Sequence, residues 1–70
     1  MSQLLSSMAG NLYKVLVKMG DRLEPGEEVA ILESMKMEIP ITTETAGTVK
    51  ELKVSEGDFV NEGDVILVLE

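Results

Sequence analysis

A lone lysine between two methionines, Met35-Lys36-Met37, is the group in this chain best suited to chemistry, and acids stand on either side of it at Glu33 and Glu38. The usual reactive side chains are missing. The 70 residues contain no histidine and no cysteine, which excludes a thiol nucleophile, a disulfide framework, a zinc ribbon and the commonest general base and metal ligand. Self-contained catalysis is therefore not expected, and attention falls on what the lysine can do.

An intrinsic nucleophile or Schiff-base lysine needs an apolar pocket or a neighbouring cation, whereas Glu33 and Glu38 are of the opposite sign. A lysine on a turn with nothing to activate it reads instead as an acceptor, acylated by another enzyme. The competing account is plain packing, with Met35 and Met37 filling gaps in a core and Lys36 solvated. Three observations favour the acceptor. The segment lies at the centre of an internal repeat, Met-Lys is a poor pair for a tight hairpin, and methionine on a turn exposes apolar surface that packing does not require.

The elements that position the lysine come from that repeat. Shifting the sequence by 37 positions without a gap aligns Gly10 with Gly47, Val17 with Val54, Gly20-Asp21 with Gly57-Asp58, Gly26 with Gly63, and Leu32-Glu33 with Leu69-Glu70. Similar residues fill the intervals: Leu12 with Val49, Leu23 with Val60, Val29 with Ile66 and Ile31 with Val68. Chance similarity in a chain rich in valine, glycine and glutamate does not account well for matched glycines, each of which marks a turn or a close backbone approach. Strands are expected at 12–17, 29–33, 49–54 and 65–69, bounded by glycine-bearing turns. Helical periodicity is never sustained.

The chain is thus expected to be a single all-β domain, a compact sandwich or flattened barrel with pseudo-twofold symmetry. Its repeats cover about 2–33 and 39–70, and residues 34–38 join them. A twofold that exchanges the halves sets Lys36 at one end of the molecule and both termini at the other.

Composition narrows the partners. The net charge is −7, which would repel a phosphate backbone or an anionic lipid surface, so neither nucleic acid nor membrane is expected. The longest uncharged stretch, Met1 to Tyr13, carries Ser2, Gln3, Ser6, Ser7 and Asn11; it is too polar for a spanning helix and lacks the basic start of a signal peptide. A cytoplasmic location is the expectation.

Nearly the whole chain resembles the biotinyl/lipoyl attachment domain. Glu33-Ser34-Met35-Lys36-Met37 looks like the biotinylation motif of biotin carboxyl carrier domains, and the frame of Gly20-Asp21, Gly26 and Val29 before it, then Gly47, Gly57-Asp58 and Gly63 after it, is similar to that family throughout. The likeness is greatest to small free-standing bacterial attachment proteins. It implies two four-stranded antiparallel sheets, the barrel-sandwich hybrid, with the modified lysine on a protruding hairpin. It also implies covalent biotin on Lys36, Met35 and Met37 as flanking recognition residues, and a biotin protein ligase, a biotin carboxylase and a carboxyltransferase as partners. The carrier itself would be no enzyme; it would swing a tethered cofactor between two sites.

There are departures from the pattern. Ser34 stands where the family usually has alanine, and Ser6-Ser7-Met8 where Ala-Pro-Met is common, which leaves the path of the first strand open. The gap-free repeat has no room for the inserted thumb of some acetyl-CoA carboxylase carriers. The alternative is a lipoyl carrier of a 2-oxoacid dehydrogenase-type complex, or a protein accepting both biotin and lipoate, although lipoyl domains more often present Asp-Lys-Ala. An unmodified barrel serving as an interaction module is a third reading, but it has no reason to keep Met-Lys-Met.

Overall fold

The computed structural model describes residues 2–70, and among them every regular element is a strand. These are β1 (Ser2–Leu5), β2 (Gly10–Val15), β3 (Arg22–Leu23), β4 (Glu28–Ser34), β5 (Met37–Thr42), β6 (Gly47–Leu52), β7 (Phe59–Val60) and β8 (Val65–Leu69). They form two four-stranded sheets, ordered β1-β8-β6-β3 and β5-β4-β2-β7. All the pairings are antiparallel.

Adding 37 to every residue of the first half carries β1 to β4 onto β5 to β8 and converts one sheet order into the other, so the pseudo-twofold exchanges the sheets. The exchange extends to single hydrogen bonds. Gly20 N–H donates to the Val49 carbonyl at 2.8 Å, and Gly57 N–H to the Leu12 carbonyl at 2.8 Å. The carboxylate of Asp21 accepts from Lys18 N–H at 2.9 Å, and that of Asp58 from Ser55 N–H at 2.9 Å. These turns place Gly20 and Gly57 at φ of +94° each, a conformation that any side chain would strain.

Strands β2 and β6 begin earlier than the hydrophobic pattern suggests. The expected 12–17 and 49–54 are in fact Gly10–Val15 and Gly47–Leu52, because past Val15 the chain turns away into the Asp21-capped turn. Gly10 lies inside its strand, where a Cβ would meet the Glu33 carbonyl oxygen at 2.7 Å. Its role is close approach of β2 to β4.

The strands bury a wholly aliphatic core: Leu12, Leu23, Val29, Leu32, Val49, Val60, Ile66, Leu67 and Leu69 are all at most 2% exposed. Neither aromatic residue takes part. Pro40 lies on β5, an edge strand, where a missing N–H is tolerated. The first strand ends at Leu5, and Ser6 folds inward with its hydroxyl donating to the Met8 carbonyl at 2.6 Å; this settles the path that Ser6-Ser7-Met8 left open.

Candidate functional site

The longest ladder in the molecule leads to Lys36. β4 and β5 pair from Glu28↔Thr42 through Leu32↔Ile39 and Glu33↔Glu38 to Ser34↔Met37. Only Met35 and Lys36 remain for the turn, and both have positive φ, 51° and 64°. This is the backbone of the primed two-residue hairpin, normally filled by Asn-Gly or Gly-Gly. Met-Lys therefore does form the tight hairpin for which it is a poor pair. The ladder, anchored by the buried Val29, Leu32 and Ile41, overrides the local preference. Each non-glycine residue held in the left-handed region costs about 1–3 kcal/mol, and such strain concentrates at functional sites.

The turn carries its side chains into solvent. Met35 is 88% exposed and Met37 55%, so the packing account of the two methionines does not hold. Lys36 is exposed, and among the described residues no ion pair or hydrogen bond holds its ammonium. Glu33 and Glu38 face each other directly one step below the turn. Like charges in register oppose pairing, and here they set a negative base beneath the lysine.

All three residues singled out by the sequence, Lys36, Met35 and Met37, thus meet at one exposed tip. Ser2 and Leu69 lie in the position equivalent to this hairpin: they pair with each other as Ile39 pairs with Leu32. A concavity of about 410 Å³ runs between the edge strands β1 and β5, from Leu4 and Leu5 to Pro40 and Thr43. None of the three tip residues lines it. Among the described residues no three carboxylates gather as a metal site, and no helix is long and apolar enough to cross a membrane. Tyr13 and Phe59, both exposed on the hairpin's sheet, have no motif to flag them; their signal is a mismatch of residue type in the 37-residue alignment.

Comparison with known proteins gives a consistent picture. The family model described as "Biotin-requiring enzyme" matches residues 2–69. A "Biotin/lipoyl attachment protein" of Bacillus subtilis (strain 168) is 71% identical over 62 residues, covering 89% of this chain and 85% of that protein. A "Biotin carboxyl carrier protein" of Streptococcus mutans is 44% identical over 62 residues, and the matched region is 48% of its length. The crystal structure of the Kluyveromyces lactis urea carboxylase superposes with a TM-score of 0.90 at 32% identity, over 99% of this chain and 6% of that one.

Proposed function

Because the chain belongs to the biotin/lipoyl attachment family, we propose that it is a biotin carboxyl carrier whose Lys36 holds the cofactor. The observation that carries this reading is the exposed Lys36 on a strained two-residue turn between two solvated methionines. The fit is one of access. An acyl group on Nζ meets open solvent, and nothing in the chain must be displaced to admit it.

In the attachment step the uncharged Lys36 amine attacks the carbonyl carbon of an acyl-adenylate made by a biotin protein ligase. An amide forms, AMP leaves, and the amine loses a proton. Bound biotin supplies a ureido nitrogen able to carry a carboxyl group. The chain's own contribution is mechanical: the β4–β5 ladder holds the tip away from the body, and the tether raises the effective concentration of the cofactor at successive active sites. The carrier, with neither histidine nor cysteine, is acted on by a biotin carboxylase and a carboxyltransferase in the cytoplasm. Lipoate is the second reading, favoured by the name of the Bacillus subtilis relative, "Biotin/lipoyl attachment protein".

Intact-mass measurement of protein from its native cell separates biotin, lipoate and no modification. Incubation with biotin, ATP and a biotin protein ligase should add one biotin, and Lys36→Arg should abolish it. Label persisting on Lys14, Lys18, Lys50 or Lys53 would overturn the assignment.

A further inference from the structure

The pseudo-twofold makes the two sheets comparable position by position, and their outward faces differ at two aromatic positions. The chain has a single phenylalanine and a single tyrosine. Both lie on the outward side of the hairpin's sheet: Phe59 is 60% exposed beside the buried Val60, and Tyr13 is 48% exposed beside the buried Leu12. Their equivalents on the other sheet are Arg22 and Lys50. At both positions a cation on one face is replaced by an aromatic ring on the face that carries Lys36.

Register places the rings relative to the lysine. Phe59 pairs with Asn11, Asn11 with Glu33, and Glu33 with Glu38, so one row crosses all four strands just below the turn. Phe59 is therefore two strand spacings, about 10 Å, to the side of β4. Tyr13 occupies the register shift between Leu12 and Lys14 on β2, with the Lys14 ammonium 5.9 Å from its ring centroid. A specific protein partner covers about 800 Å² on each side, wide enough to hold the turn and both rings in one footprint. Tyrosine is among the residues that most often anchor such contacts, phenylalanine is enriched at interface centres, and neither ring contributes to this core.

We propose that the Tyr13–Phe59 face, with the Glu33–Glu38 pair at its edge, is the docking surface for the ligase that acylates Lys36, and that the ligase meets it with an apolar socket rimmed by Lys or Arg. This rests on the assignment of Lys36 as the biotin acceptor. The ligase is the occupant because it must select one lysine among Lys14, Lys18, Lys36, Lys50 and Lys53 on a protein that does not yet carry a cofactor. Enzymes acting later have the cofactor itself to hold. The acid pair fits a cationic rim.

The test uses the full chain, biotin, ATP and a bacterial biotin protein ligase, with KM and kcat measured for the protein substrate. Phe59→Arg and Tyr13→Lys install the residues that the other sheet already carries at equivalent positions. Each should raise KM about tenfold, as loss of an anchoring side chain does, with kcat and melting temperature near wild type. Arg22→Phe on the opposite sheet should change neither constant. Should Phe59→Arg unfold the protein, Phe59→Thr serves in its place. Folded variants with wild-type KM would overturn the docking surface and leave Lys36 as acceptor intact. Normal ligation with slowed carboxyl transfer would assign the face to a carboxylase and overturn the choice of occupant. Failure of the wild-type chain to be labelled would overturn the acceptor assignment, and the surface with it.

Discussion

Ser6 and Thr43, related by the 37-residue shift, are the only two buried hydroxyl residues among the described residues, and each donates to the carbonyl two residues ahead, Met8 at 2.6 Å and Thr45 at 2.8 Å. Thr43 does more, because its oxygen also accepts from Thr45 N–H at 3.2 Å. Removing its hydroxyl therefore strands a donor as well as an acceptor. Thr43→Val should destabilise the fold by about 1–3 kcal/mol, and Ser6→Ala by about 1 kcal/mol. Urea unfolding of the two variants checks the order; equal losses would show that the extra bond to Thr45 contributes nothing.

At Met35 stability and function should respond separately. Asparagine tolerates the left-handed region better than methionine does, so Met35→Asn should stabilise the fold by about 0.5–1 kcal/mol. Met35→Val puts a branched Cβ at φ 51° and should destabilise it by about 1–2 kcal/mol. Thermal melts check both, and ligation rates should fall in both, since each removes the thioether.

Met37 is more than half exposed, and Met37→Leu conserves volume. Folding should change by less than about 1.5 kcal/mol, while modification responds more strongly than melting. Comparison of the melting curve with the initial ligation rate decides it. A large stability loss with unchanged ligation would mean that Met37 acts as a packing residue.

Specificity between the two cofactors should reside mainly in the hairpin, because the glycine frame and core are shared by both carrier types. Met35→Asp with Met37→Ala creates a lipoyl-like tip without touching either repeat. The variant should lose biotinylation and gain lipoylation, for two reasons. Apolar contacts to the biotin ligase disappear, and a third carboxylate beside Glu33 and Glu38 must be desolvated unpaired in a partner built for methionine. Initial rates with each ligase, alongside circular dichroism, give the answer; unchanged rates on a folded variant would move discrimination to the barrel surface.

Gly10 tests the link between core and tip. A Cβ there would press on the Glu33 carbonyl oxygen at 2.7 Å, so Gly10→Ala should cost about 1–3 kcal/mol through overpacking and displace β4 just where it supports the hairpin. Ligation should slow even at temperatures where the variant stays folded. Gly47→Ala, with nearest contacts at 3.1 Å on the other side of the twofold, should cost less and leave ligation unchanged.

The repeat made most of this architecture readable in advance. Matched glycines and aliphatic positions located the halves and the exposed lysine, while the expected join at 34–38 shrinks to Met35 and Lys36, because Ser34 still belongs to β4 and Met37 already to β5. The two-residue strands β3 and β7 were beyond reach, since Arg22-Leu23 and Phe59-Val60 are too short to show alternation. The tight turn ran against local preference because tertiary pairing over six residue pairs of β4 and β5 outweighs what Met35 and Lys36 favour alone. Tyr13 and Phe59 were visible as letters, but their shared face depends on a register that only the structure supplies.

Each sheet draws strands from both halves: β8 lies between β1 and β6, and β7 completes the sheet built on β2 and β4. Neither half can therefore fold by itself, and the β4–β5 hairpin alone would be marginal in water. During synthesis Lys36 emerges at mid-chain, long before Ile66, Leu67 and Leu69 arrive to fill the core beneath it. An enzyme that reads the shaped tip rather than the linear segment would act only after the last strand has docked. Acylation would then mark folded domains and pass over chains whose β8 has not yet docked.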